Sequence, residues 1–329
     1  MEPATLQVDN LCVEFDKRQG SVRVLNQVNF HVDKGESLGI VGESGCGKSM
    51  TALAVMQLIP NPPGRITSGQ VMLRGEDLLQ FSEKQMQDVR GNEISMIFQE
   101  PMTSLNPVFT IGNQITESIR RHQRVSKQEA RNRAVEVLNA VGIPAAKQRL
   151  GQYPHELSGG MRQRVMIAMA LSCQPSVLIA DEPTTALDVT VQAQIFDLLL
   201  DIQETTGTAI ILITHDMGVI AEVTQRVMVM YAGRTVEEGR VADIIANPKH
   251  PYSQGLIQCV PHLKEDPGPV REKLLEISGL VPDFSQLDGN CSFLPRCSQA
   301  CDQCREGPPP VQEIDMDHRV ACWMAGVRA

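Results

Sequence analysis

The chain has 329 residues, a formal net charge of −9 and 21% charged residues. The length predicts about two domains with room for a sizeable core. The acidic balance argues against a protein that grips nucleic acid through bulk electrostatics. No apolar run approaches the ~18 residues needed to span a bilayer, and a run such as Ala209-Ile210-Ile211-Leu212-Ile213 is of strand length. The start, Met1-Glu2-Pro3-Ala4-Thr5, lacks the basic and apolar regions of a signal peptide. The expectation is a soluble, cytosolic protein that touches a membrane only through partners. In that setting nine cysteines read as reduced thiols or a metal site rather than disulfides.

Residues 5–34 alternate apolar and polar side chains, as in Leu6-Val8, Val13-Phe15 and Val28-Phe30-Val32, which predicts antiparallel strands turned at Lys17-Arg18-Gln19-Gly20. Phe15 is the aromatic available there to stack on a nucleobase. Ser37-Leu38-Gly39-Ile40-Val41 then reads as a buried strand, Gly42-Glu43-Ser44-Gly45-Cys46-Gly47-Lys48-Ser49 as a phosphate loop, and Met50 to Met56 as a helix. Glycines in such a loop let successive backbone N–H groups turn towards an anion, and the helix N-terminus adds its partial positive charge. Lys48 would reach the β- and γ-phosphates and Ser49 would ligate Mg²⁺. Gly42, Glu43, Ser44, Gly45, Cys46, Gly47 and Met50 would line the same nucleotide.

The helix is expected to stop at Pro60-Asn61-Pro62-Pro63-Gly64. Gly69 to Leu73 and Ile94 to Phe98 look like further strands. The second leads into Gln99, whose amide could sit near Mg²⁺ and the attacking water. Residues 110–165 read as helical. Ser126-Lys127-Gln128-Glu129 is a capping-box pattern, and Ala130, Ala134, Leu138 and Val141 keep one apolar face until Gly142 and Pro144. The arginines there (Arg120, Arg121, Arg124, Arg131, Arg133) read as a solvated face. Leu157-Ser158-Gly159-Gly160 opens another helix, whose free N–H groups offer a second grip on phosphate. Val177 to Ala180 is a buried strand ending in Asp181 and Glu182. Asp181 would be the metal-side acid and Glu182 the base for the nucleophilic water. After a loop at Ala186-Leu187-Asp188, one more apolar strand ends at Thr214-His215-Asp216, where His215 could contact a γ-phosphate.

Taken in order, GESGCGKS, Gln99, LSGGMRQR, LIADEP, Ala186-Leu187-Asp188 and His215 resemble the Walker A motif, Q-loop, signature, Walker B motif, D-loop and H-loop of ATP-binding cassette (ABC) ATPases. The resemblance implies an α/β fold: a P-loop NTPase (RecA-like) core, an N-terminal antiparallel β subdomain and a helical insertion. It also implies a head-to-tail pair of cassettes. Ser158, Gly159 and Gly160 of one would serve ATP bound on the other, and Asp188 would also belong to the nucleotide site. The stretches Phe98 to Pro107, Asp181 to Asp188 and His250-Pro251-Tyr252-Ser253-Gln254-Gly255-Leu256 are similar to the subfamily that powers uptake of dipeptides and oligopeptides, with relatives for nickel and glutathione. That implies two permease subunits, a second cassette subunit (identical or homologous), an extracytoplasmic solute-binding protein, no nucleic acid, and a peripheral place on the cytoplasmic face of the inner membrane. Met161 departs from the broader family, which usually has glutamine there.

The composition shifts after about residue 260 towards Pro, Gly and Cys. Cys291, Cys297, Cys301, Cys304 and Cys322 place five thiols within 32 residues, and thiolates at such density favour zinc or an iron–sulfur cluster. The segment resembles the C-terminal extension of peptide-importer cassettes, which in some members holds a [4Fe–4S] cluster. That resemblance implies Cys291, Cys297, Cys304 and Cys322 as ligands, with a four-thiolate Zn²⁺ site as the alternative. Cys12, Cys46, Cys173 and Cys259 are isolated and read as structural. The expected organisation is a nucleotide-binding domain over 1–258, with its helical subdomain at about 100–165, and a small Cys-rich extension over 259–329. The alternative function is a soluble cassette ATPase in DNA repair or translation. Against it, only roughly 110 residues without sustained heptads separate the phosphate loop from LSGG, and the chain carries one cassette.

Overall fold

The computed structural model describes residues 4–18, 20–99, 104–185, 187–260, 276–287, 289–315 and 317–325. The expectations for Glu100 to Thr103, for Ala186 and for the composition shift across 261–275 therefore lie outside the described residues. The strands are β1 (Leu6–Lys17), β2 (Gly20–Val32), β3 (Ser37–Val41), β4 (Gly64–Leu73), β5 (Glu76–Asp77), β6 (Ile94–Ile97), β7 (Val177–Asp181), β8 (Ala209–Thr214), β9 (Arg226–Tyr231), β10 (Arg234–Arg240), β11 (Val311–Asp315) and β12 (His318–Ala321). The helices are α1 (Lys48–Val55), α2 (Glu83–Val89), α3 (Ile111–His122), α4 (Lys127–Ala140), α5 (Ala146–Arg149), α6 (Gly159–Leu171), α7 (Val189–Thr206), α8 (Met217–Val223), α9 (Val241–Ala246), α10 (Pro251–Gln258) and α11 (Gln303–Glu306). They fall into two compact units: residues up to Gln7 with His31–Ser37 and Met72–Leu212, and Val8–Phe30 with Leu38–Val71 and Ile213 onward.

The first unit has a layer in the order β8-β7-β6, in which β6 runs parallel to β7 with Ile94 opposite Val177 and Ile97 opposite Ala180. Every residue of β6, β7 and β8 is buried. That explains the continuous apolar runs, since strands covered on both faces have no polar face to show. Each fully buried Ile, Leu or Val contributes about 1.5–3 kcal/mol relative to an exposed one.

The helical part of this unit packs on a narrow seam. Ile111, Ile115 and Ile119 of α3, four apart, are buried, as are Ala130, Ala134 and Leu138 of α4. Ser126 caps α4 as expected, its hydroxyl accepting from Glu129 N–H at 3.2 Å. The reciprocal half of the box is replaced: the Glu129 carboxylate pairs with Arg133 at 2.7 Å one turn on. A guanidinium at i+4 competes well with a backbone N–H on an exposed helix. The capping box forms instead at Ser82 and Gln85, at the start of α2. Arg120, Arg121, Arg124 and Arg131 are exposed, the solvated face that was expected.

The second unit contains β2-β1-β4 of the N-terminal sheet and a layer in the order β11-β12-β10-β9-β3. β3 runs parallel to β9, with Leu38 opposite Arg226, whereas β9, β10, β12 and β11 are successively antiparallel. The strands after residue 310 thus continue the β9–β10 hairpin, with Glu237 of β10 opposite Val320 of β12. The Glu237 carboxylate is fully buried there. It accepts from Lys249 N–H at 2.7 Å and His250 N–H at 2.9 Å, and meets His318 Nε2 at 2.8 Å. A buried carboxylate is tolerable only with such partners, and these fix the entry to α10. Burial lowers the pKa of His250 to about 3, so the ring is neutral and its Nδ1 caps the helix by accepting from Tyr252 N–H at 3.0 Å.

Candidate nucleotide site

The phosphate loop belongs to the second unit and has the backbone that the sequence predicts. Gly42, Gly45 and Gly47 have φ values of 157, 79 and 109°. At Gly42 a Cβ would lie 2.3 Å from the Met230 carbonyl oxygen, so only glycine fits against β9. α1 begins at Lys48 rather than Met50, because Gly47 in the left-handed region serves as its N-cap. Lys48 is buried; its Nζ donates to the Gly42 carbonyl at 2.7 Å and the Glu43 carbonyl at 3.1 Å, folding the ammonium back over its own loop. The Cys46 carbonyl accepts from Gly233 N–H at 2.8 Å, which ties the loop to the β9–β10 turn. Burial pushes the Cys46 thiol pKa up, in keeping with a structural cysteine. Ser44 and Gly45 are exposed, and Ser49 and Met50 are half-buried. Left-handed glycines, an ammonium and a helix N-terminus form an anion-binding nest that fits a triphosphate.

Two groups that sequence reasoning missed hold Glu43 in this loop. Tyr252 Oη accepts from Glu43 N–H at 2.8 Å, and Arg296 grips the Glu43 carboxylate with Nη1 to Oε2 at 2.7 Å and Nη2 to Oε1 at 3.0 Å. In the sequence His250-Pro251-Tyr252 reads only as a family pattern. Contacts across more than 200 residues leave no periodic signal that could have revealed its role. Phe15 is half-buried and its ring lies against Gly64, where a Cβ would meet Cζ at 2.9 Å. Its place on β1 is therefore set partly by packing on β4.

The first unit carries Gln99, LSGG, Asp181, Glu182 and Asp188. Asp181 ends β7 and is buried. Glu182 turns away at a φ of 45°, a left-handed conformation costly for a non-glycine residue. Its Oε2 accepts from Gln99 Nε2 at 3.0 Å and from Thr185 Oγ1 at 3.0 Å. Gln99 and Glu182, 83 residues apart, are thus brought together. Ser158 caps α6 by accepting from Met161 N–H at 3.4 Å, and Ser158 and Gly159 are exposed. The Asp188 carboxylate caps α7, accepting from Val191 N–H at 3.0 Å. In the second unit His215 is exposed immediately after β8.

Cys291, Cys297, Cys304 and Cys322 also lie in the second unit. Burial raises the pKa of each thiol, Cys291 to about 11, and neighbouring thiols add to the effect. Cys304 and Cys322 are buried, Cys291 N–H donates to the Cys304 carbonyl at 3.0 Å, and Cys301 Sγ lies 3.5 Å from Cys304 Sγ. Among the described residues, no group of three or more His, Cys, Asp or Glu side chains is arranged to hold a metal ion.

Comparison with known proteins adds to this geometry. Residues 25–185 match the family model described as ABC transporter, and residues 236–304 match the oligopeptide/dipeptide transporter C-terminal region. The chain is 52% identical to "Probable peptide ABC transporter ATP-binding protein y4tR" of Sinorhizobium fredii, over 97% of this chain and 94% of that protein. It is 51% identical to the oligopeptide transport ATP-binding protein OppD of Bacillus subtilis, over 97% of this chain and 88% of that one. Among solved structures, the dimeric post-hydrolysis state of the ATP-binding cassette MJ0796 bound to ADP and Pi matches with a TM-score of 0.65 and 27% identity, covering 72% of this chain and 98% of that one. With about half of its residues shared with these relatives along nearly its whole length, the chain belongs to the ABC transporter family and is one of its ATP-hydrolysing subunits.

Proposed function

We propose that the chain drives import of dipeptides, oligopeptides or a related solute such as glutathione or nickel across the cytoplasmic membrane. The observation that carries this reading is the oligopeptide/dipeptide transporter C-terminal region at residues 236–304, joined in one chain to an ABC transporter cassette. The relatives reported above are named for peptide transport, so a role in DNA repair or translation has no support. The partners are two membrane permeases, a second cassette subunit and an extracytoplasmic solute-binding protein, with the chain bound peripherally on the cytoplasmic side. No helix among the described residues is long and apolar enough to cross a membrane. Residues 1–258 form the nucleotide-binding domain, with a helical subdomain at about 100–165, and 259–329 form the extension.

In the mechanism, the loop amides from Gly42 to Gly47 and the Lys48 ammonium hold the triphosphate, and Phe15 is the aromatic available to stack on the base. The Ser49 hydroxyl and Asp181 carboxylate, with Gln99, are the hard oxygen donors that suit Mg²⁺, which supplies charge neutralisation when bound. Glu182 takes the proton of the attacking water. Gln99, which donates to the same carboxylate, orients it, and His215 reads the γ-phosphate. Ser158, Gly159 and Gly160 serve the nucleotide held by the partner cassette, and Asp188 belongs to the nucleotide site.

For the extension we propose a [4Fe–4S] cluster on Cys291, Cys297, Cys304 and Cys322. The support is the donor set itself, four thiols of the soft kind such clusters take, with Cys304, Cys297 and Cys322 near enough to add to the effect of burial in raising the Cys291 pKa. A four-thiolate Zn²⁺ site is the alternative reading for the same residues.

The import reading is tested by uptake. In cells lacking other peptide importers, replacing the native copy with Glu182→Gln reduces uptake of radiolabelled dipeptide and tetrapeptide to background. Uptake of both at native rates would contradict peptide import.

A further inference from the structure

The phosphate loop contains one carboxylate, Glu43, directly after its first glycine. A negative side chain beside the seat of a polyanion opposes binding unless something neutralises it and turns it aside. Every polar group of Glu43 is engaged. Its N–H donates to Tyr252 Oη, its carbonyl accepts from Lys48, and both carboxylate oxygens are bound by the Arg296 fork.

Arg296 is itself held in place. Its side chain is only 3% exposed. Nε donates to the Ser278 carbonyl at 2.8 Å, Nη2 to the Ile277 carbonyl at 3.1 Å and Nη1 to Tyr231 Oη at 3.5 Å. The guanidinium lies over the rings of Tyr231 and Phe293, at 5.8 and 6.0 Å from their centroids. Phe293 packs in turn on Tyr231, Tyr252 and His250. One short segment of the C-terminal extension thus reaches the loop by an ion pair and, through Tyr252, by a packed ring.

We infer that Arg296 is a positioning residue of the nucleotide site: it neutralises Glu43 and holds it aside, so that the phosphate loop accepts the triphosphate. This rests on the ATPase assignment and goes beyond it, because it makes the extension part of the nucleotide site. A planar, two-pronged donor suits the task, since it fixes both oxygens of the carboxylate at once.

The test is ATP binding by calorimetry, with Mg²⁺ present, and steady-state hydrolysis over a range of ATP concentrations, both on the full chain. Arg296→Gln weakens ATP binding and raises KM about tenfold, while kcat at saturating ATP stays within about twofold of native. The double variant Glu43→Gln/Arg296→Gln, which removes the uncompensated charge as well, recovers affinity to within about threefold of native. Arg296→Lys keeps the charge without the fork and weakens binding only about threefold, so the comparison holds even if Arg296→Gln yields little folded protein. Native affinity in Arg296→Gln, or a double variant as weak as the single one, overturns the inference. A native chain that binds no ATP would instead overturn the ATPase assignment beneath it.

Discussion

Glu182→Gln is expected to bind ATP normally and to hydrolyse it about 10²–10⁴-fold more slowly, the range for losing a general base. The substitution keeps the shape of the side chain and its capacity to accept from Gln99 Nε2 and Thr185 Oγ1, each 3.0 Å from Oε2. What it removes is the negative charge and the ability to take a proton. The strained backbone at Glu182, with φ at 45°, points the same way. Strain of this kind persists where surrounding structure imposes it, and it clusters at active sites. Binding is read by nucleotide titration and hydrolysis by phosphate release. Near-native turnover would remove Glu182 from the role of base.

Lys48→Ala is expected to act one step earlier, weakening ATP binding about a hundredfold, as loss of one member of a desolvated charge pair does. The Lys48 ammonium is held by two loop carbonyls, Gly42 at 2.7 Å and Glu43 at 3.1 Å, with no carboxylate among these contacts. A buried ammonium held by two neutral carbonyls and, at 4.0 Å, by the Cys46 sulfur is poised for a stronger anionic partner. Calorimetric titration separates this effect from that of Glu182→Gln, since one variant loses binding and the other only chemistry. Native affinity in Lys48→Ala would mean that the loop amides alone hold the triphosphate.

The parts of this chain that were legible in its sequence are those in which one short stretch contains both cause and consequence. The spacing of Gly42, Gly47 and Lys48 specifies a left-handed loop feeding a helix, and the loop has that form. The apolar runs of β7 and β8 are continuous because both faces are covered. Ser126 announces α4 by its position before an apolar periodicity. What was not legible is the pairing of distant groups. Nothing local to Glu237 tells that its carboxylate will receive two backbone N–H groups and His318. Glu43 and Arg296 stand 253 positions apart. The capping-box pattern at Ser82 and Gln85 stands in the sequence without an apolar periodicity to mark it, because α2 is short and its buried residues are Met86 and Val89.

This ATPase works as the motor of a membrane importer. The most direct measurement is affinity purification of tagged Glu182→Gln chain from detergent-solubilised membranes in the presence of ATP, with every co-purifying chain identified by mass spectrometry. The expected result is two polytopic membrane proteins together with a second cassette, either another copy of this chain or a homologue. Recovery only from the soluble fraction, with ribosomes or DNA, would contradict the importer while leaving the ATPase chemistry intact.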